Sequence, residues 1–151
     1  MKLNIILNYY NFCKNYNYIP YKNDILHWLY IIFMKTNIKK IEITISIVEK
    51  FYIQKLNKKF FQIDKPTNVL SFLEKNYFFK KILLGEIILC KEIIEYESFL
   101  QKKKIDAHWA HIIIHACLHL LKYDHQNIKE ACIMQTKEIK ILNLLGYENP
   151  Y

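Results

Sequence analysis

From Lys40 to Val48 the chain alternates, with Ile41, Ile43, Ile45 and Ile47 separated by Glu42, Thr44 and Ser46. A period of two puts the isoleucines on one face and the polar residues on the other, which predicts a half-buried strand. Residues 3–10 suit a first strand, and Asn68–Phe72 and Leu83–Cys90 are two further β-rich runs, separated by an aromatic loop over Asn76–Lys80. Elsewhere the apolar period is that of a helix. Pro20 is expected in the first turn of a helix that carries Ile25, Leu26, Leu29, Ile32 and Phe33 at helical spacing. Glu49–Asn57 reads as a short helix with Phe51, Ile53 and Leu56 inward. Ile93–Lys103 reads as another, with Lys102-Lys103-Lys104 set against the negative end of its dipole. Ala107–Leu121 is the most apolar helix and is expected at the centre of the fold. Asn127 is placed to cap a last helix, with Glu130 three residues on and Ile128, Ala131, Gln135, Ile139 and Leu142 along one side. The expectation is one α+β domain over residues 1–151, a small mixed sheet of about four strands with about five helices.

Composition narrows the class. A chain of 151 residues that is 52% hydrophobic and 24% charged builds a core and is not disordered. Cys13, Cys90, Cys117 and Cys132 lack zinc-ribbon spacing and are expected to be reduced. No secretory signal is evident, and the most apolar stretch, Ile25–Met34, is about ten residues against the ~20 that span a bilayer. The expectation is a cytoplasmic protein with no membrane partner. The net charge is +8, and all 22 basic residues are lysines. Glycine appears only at Gly85 and Gly146. Heavy use of Asn, Ile, Lys, Tyr and Phe matches AT-biased coding, so part of the charge is mutational drift. Lysines are point charges that attract phosphates without sequence preference, which makes RNA one partner the charge favours.

The candidate chemistry lies at the end of the apolar helix. His115 and His119 are four residues apart, one turn apart on one helical face. His125 follows six residues later, past an expected helix end, where the chain can fold back. Three protein ligands leave a fourth tetrahedral position open, as in a catalytic rather than a structural zinc site. A His-x-x-x-His pair on an apolar helix is also a common core feature, and the third histidine is what weighs toward a metal. Zinc peptidases place a glutamate directly after the first histidine as general base. Here that position is Ala116, which disfavours a peptidase.

The run Ala107 to His125, ending His115-Ala116-Cys117-Leu118-His119-Leu120-Leu121-Lys122-Tyr123-Asp124-His125, resembles the YbeY family pattern H-G-x-L-H-L-x-G-Y-D-H. Leu56-Asn57 followed by Asp64-Lys65-Pro66-Thr67-Asn68-Val69-Leu70-Ser71-Phe72 resembles that family's second signature. Leu84-Gly85-Glu86-Ile87 is similar to its Leu-Gly-Asp segment, and Leu144-Leu145-Gly146-Tyr147 to its C-terminal end. The resemblance implies a metal-dependent, single-strand-specific endoribonuclease linked to maturation of the 16S rRNA 3′ end and to small-subunit quality control. It implies rRNA and the small ribosomal subunit as partners, with no DNA expected. It also implies one Zn2+ per chain on His115, His119 and His125. A bound divalent ion lowers the pKa of its water toward ~7 and polarises a phosphoryl oxygen, and both effects suit phosphodiester hydrolysis. Asp124 is the candidate catalytic carboxylate. Two roles are open to it, orienting a histidine or capping the last helix. Glu86, Thr67, Asn68, Ser71 and His111 are candidates for the pocket, against the plainer readings of surface charge, strand entry or buried histidine.

Besides Glu86, which stands where the family usually has Asp, three positions depart from the family pattern. The family has an arginine four residues after the Leu-Asn pair, and here Phe61 stands there. A phenyl ring cannot stabilise phosphate charge. Lys58, Lys59 and Lys65 are the candidate RNA-binding substitutes, none of them at that position. Ala116 replaces a helical glycine and is favoured by ~1 kcal/mol in propensity. Lys122 replaces a helix-terminating glycine and, if left-handed, costs about 1 kcal/mol. The alternative function is therefore an RNA-binding assembly factor of weakened activity that keeps a structural zinc.

Overall fold

The structure, a computed structural model, describes residues 2–14, 17–77 and 81–151. Strands β1 (Asn4–Asn11), β2 (Lys40–Val48), β3 (Val69–Tyr77) and β4 (Ile82–Cys90) form one sheet in the order β1-β2-β4-β3. β1, β2 and β4 are parallel, and β3 runs antiparallel to β4 along the edge. Helices α1 (Lys22–Phe33), α2 (Lys50–Phe61), α3 (Lys91–Leu100), α4 (Ile105–Leu120) and α5 (Ile128–Leu144) complete the α+β fold. Of the expected loop at 76–80, Asn76 and Tyr77 belong to β3, and residues 78–80 lie outside the described residues.

The alternation of each strand supplies two cores. Ile41, Ile43, Ile45 and Ile47 of β2 and Leu83, Ile87 and Leu89 of β4 pack with Trp28, Leu29, Trp109 and Ile113 of α1 and α4. Ile88 and Cys90 point the other way, to a smaller core with Val48, Ile53 and Leu70 beneath α2. Gly85 falls on the α4 side, and a Cβ there would lie 2.9 Å from Leu120 Cδ1. The missing side chain lets the end of α4 that carries His119 settle on the sheet.

Five local expectations shift. Pro20 precedes α1 rather than entering it. Its carbonyl accepts a hydrogen bond from the Tyr9 hydroxyl (2.8 Å), and the Asp24 and Ile25 amides start the helix on the Tyr21 carbonyl. α2 runs past Asn57 to Phe61, because the Asn57 amide donates to the Lys65 carbonyl (2.9 Å) instead of competing with its own helix. Phe51 is exposed with Lys55 above its ring, since two residues turn a helix by about 200° and Phe51 cannot share a face with Ile53. α5 buries Met134, Glu138, Ile141 and Leu142 and leaves Ile128 exposed. That is one position around from the expected stripe, and it turns Glu138 inward. The lysine run 102–104 lies beyond the last turn of α3, with Lys102 left-handed at φ 53°.

Helix ends explain where the chain turns. Asn127 caps α5 as expected, its side chain accepting from the Glu130 amide at 2.8 Å. α4 closes with the Lys122 amide on the His119 carbonyl (2.9 Å) and the Tyr123 amide on the Leu118 carbonyl (3.0 Å). This paired closure needs a left-handed residue, and Lys122 has φ 71°. Lys122→Gly is expected to raise folding stability by about 1 kcal/mol in denaturant titrations. Gly85→Val is expected to cost about 1–3 kcal/mol in the same measurement, by driving a branched side chain into Leu120.

Candidate metal centre

α4 is apolar almost all round, and 11 of its 16 residues are buried. Its polar groups therefore have to find partners on other elements. His108, His111, His115 and His119 recur at spacings of three and four and so form one stripe along the helix. The turn at Lys122 brings His125 back to the end of that stripe.

His115, His119 and His125 each offer a ligand nitrogen, and these nitrogens all lie within 4.8 Å of one another. His115 Nε2 and His119 Nε2 are 3.1 Å apart. Ring centroids are separated by 4.6 Å for His115 and His119, 5.6 Å for His115 and His125, and 5.2 Å for His119 and His125. Tetrahedral ligation with Zn–N bonds near 2.0–2.1 Å spaces donor nitrogens at about 3.3 Å, so the set fits one small divalent ion after slight closure. Burial, together with repulsion from His115 and His125, pushes the His119 pKa down, and Asp124 offsets this in part. This favours the neutral imidazole, the form that ligates metal.

Sequence reasoning missed Glu138. Its carboxylate is 1% exposed and faces the stripe from α5. Oε2 lies 2.7 Å from His111 Nε2, and Oε1 lies 3.4 Å from His115 Nδ1. The Tyr151 hydroxyl donates to both oxygens at 3.0 Å. Burial alone would push the Glu138 pKa up, but the hydrogen bonds from His111 and His115 outweigh it and hold the carboxyl at about 2. Burial, with the same carboxylate, pushes the Tyr151 pKa up. Glu138 sits between Lys137 and Lys140, where it reads as a solvated charge. The available signal was its place on the stripe with Met134, Ile141 and Leu142.

A second acid–histidine pair lies on the α3 side. His108 Nε2 is 3.0 Å from Glu97 Oε1, and the Asn68 amide donates to both Glu97 oxygens at 3.1 and 3.3 Å. Asn68, Glu97, Lys103, His108, His115 and Tyr151 line a cleft of about 450 Å3 that reaches the histidine cluster. Asn68 lines this cleft and also fixes the start of β3, where its carbonyl accepts from the Cys90 amide. Ser71 reaches the Ala116 carbonyl at 3.4 Å.

The remaining candidates fall in other places. Asp124 Oδ1 accepts from the His125 amide at 2.7 Å, while the cap of α5 is Asn127. Glu86 lies on the opposite sheet face from Gly85, in a groove with Phe12, Phe51 and Tyr52, because successive strand residues alternate. Lys58 and Lys59 end α2, and Lys65 follows on the exposed loop. Lys58 is 3.9 Å from Asp64, and Lys59 lies over the Phe60 ring. Phe61 stacks on Phe72 with centroids 5.9 Å apart. The four cysteines are free thiols. No helix among the described residues is long and apolar enough to cross a membrane.

Fold and cluster together define an α+β protein with a three-histidine group able to bind a metal ion. Residues 10–146 match the family model described as Endoribonuclease YbeY. A protein named Endoribonuclease YbeY from Buchnera aphidicola subsp. Acyrthosiphon pisum is 48% identical, over 98% of this chain and 96% of that protein. A protein of the same name from Wigglesworthia glossinidia brevipalpis is 44% identical, over 92% of each. The solution structure of a Thermotoga maritima protein is similar at a TM-score of 0.62 and 26% identity, covering 91% of this chain and 87% of that one. The chain belongs to the YbeY family, as the histidine and Asp-Lys-Pro-Thr-Asn motifs anticipate.

The Glu97 pair gives a pH test. Burial works to raise the Glu97 pKa, and hydrogen bonds from His108 and Asn68 outweigh it and lower it below the ordinary 4.5. A lowered carboxylate pKa adds stability that is complete above the unfolded value and is lost as pH falls below it. Glu97→Gln is expected to destabilise the protein at neutral pH and to match the parent once both are acidified well below 4.5, in denaturant titrations run across pH.

Proposed function

We propose that this chain is a metal-dependent endoribonuclease acting on single-stranded rRNA, in 16S 3′-end maturation and small-subunit quality control. His115, His119 and His125 are its zinc ligands, one ion per chain. The observation that carries the reading is the convergence of three imidazole nitrogens within 4.8 Å beside an open cleft, in a chain of this family. Zinc bound there would supply Lewis-acid activation of water and of the phosphodiester. The chain's own residues do the rest. Asp124 sets the loop that presents His125 by holding the His125 amide. Lys58, Lys59 and Lys65 attract the RNA backbone, with an affinity that falls as salt rises. The cleft is within the size range of small-ligand sites and accepts one nucleotide unit. The compartment that follows from this role is the cytoplasm.

A second reading rests on Phe61. A ring stacked on Phe72 occupies the position of the family arginine and brings no guanidinium to a phosphate. On that reading the chain binds rRNA during subunit assembly, and the metal serves stability.

Purified protein of measured zinc content, incubated with rRNA beside His119→Ala and Phe61→Arg, separates the two. The nuclease reading expects cleavage on a gel that falls more than roughly 100-fold in His119→Ala, beyond the loss typical of an outer partner. A parent that does not cleave, with activity appearing in Phe61→Arg, establishes the binding role instead.

A further inference from the structure

We propose that Glu138 is the positioning residue of the metal centre. Its carboxylate, buried between α4 and α5 and clamped by Tyr151, locks the His115 ring with Nδ1 protonated and Nε2 turned toward His119 and His125. The inference rests on the reading of the three histidines as a metal site.

Three donors converge on this carboxylate. Tyr151 bridges both oxygens at 3.0 Å, His111 Nε2 meets Oε2 at 2.7 Å, and His115 Nδ1 meets Oε1 at 3.4 Å. An ionised carboxylate only accepts, so each facing ring nitrogen carries its proton. For His115 this leaves Nε2 as the bare nitrogen, and Nε2 is the atom 3.1 Å from His119 Nε2. For His111 the same logic protonates Nε2 and leaves Nδ1 a bare acceptor, which agrees with that atom being buried without a partner. A ring nitrogen bonded to a carboxylate fixes both the tautomer and the orientation of a ligating histidine.

The anchoring is what separates Glu138 from a chance neighbour. A carboxylate 1% exposed keeps its charge only when its lone pairs are filled, and His111 and Tyr151 fill those that His115 does not. Tyr151 reaches it because Gly146, left-handed at φ 86°, ends α5 and turns residues 147–151 back along α4. Tyr151 is itself 61% exposed, so the clamp is a single hydroxyl brought in from the surface.

The full chain, Glu138→Gln and Tyr151→Phe, with His119→Ala as control, are compared in two measurements. The first is 15N–1H correlation of the histidine rings in metal-free protein. The parent is expected to show the Nδ1-protonated form at His115, and Glu138→Gln a mixture of both tautomers. The second is Zn2+ affinity by chelator competition, with Co2+ absorption as the readout of ligand geometry. Glu138→Gln is expected to weaken Zn2+ about 10- to 100-fold and to shift the Co2+ bands. Tyr151→Phe, which removes only the surface clamp, is expected to move both in the same direction by less. A parent His115 protonated on Nε2 overturns the proposal even if Glu138→Gln does not fold. So does a folded Glu138→Gln with parental Zn2+ affinity and Co2+ bands. A parent that binds no Zn2+, like His119→Ala, overturns the metal-centre reading and this proposal with it.

Discussion

The burial of α4 is the constraint on which the rest depends. A helix with 11 of 16 residues out of water is held by the isoleucine faces of β2 and β4 and by α1. Burial on that scale makes any polar side chain expensive unless another element answers it. Glu97 answers His108, and Glu138 answers His111 and His115. The acid–histidine pairs are thus products of the same packing that forms the core. The histidine stripe emerges from the core over the last turns of α4, at His115 and His119, and at the turn to His125.

Left-handed turns in this frame are not reserved for glycine. Gln62, Lys81, Lys102 and Lys122 all adopt positive φ without being glycine. Each stands at a surface turn, where left-handed strain of about 1–2 kcal/mol per residue is tolerated. The two glycines that remain have different reasons. A Cβ at Gly85 would strike Leu120 within the core, and Gly146 ends α5 at φ 86° so that the chain can return to Glu138. None of the 22 basic residues is an arginine, and lysine lacks the two-pronged phosphate contact of a guanidinium. Phe61 joins Phe60 on Phe72 and packs α2 against β3.

The two halves of the functional region differ in how they were built. The histidine cluster is local, with two histidines one turn apart and the third across a turn closed by backbone hydrogen bonds. Its support is distant. Glu138 lies 23 residues from His115, and the Tyr151 hydroxyl that fills its lone pairs lies a further 13 away. The cleft beside the cluster is assembled from Asn68 at the entry to β3, from α3 and the turn after it, from α4 and from the segment after α5, so its shape depends on the packing of all of them.

What the sequence determined by itself follows from short periods. Alternation in β2 and β4, the helical spacing of α1 and α4, the Asn127 cap and the three-histidine cluster all depend on neighbours within a few residues. Those are the distances at which side-chain direction is dictated by local geometry. The tertiary structure decided which way α5 turns, which face of α2 meets the smaller core and which face of β4 the main one, so leaving Phe51 in water and Glu86 turned from the histidines, and that Glu138 is the buried partner of two of them. Each of these depends on which surface packs opposite. A glutamate between lysines is bland in one dimension and becomes specific only when two imidazoles from another helix supply the donors that allow its charge to be buried.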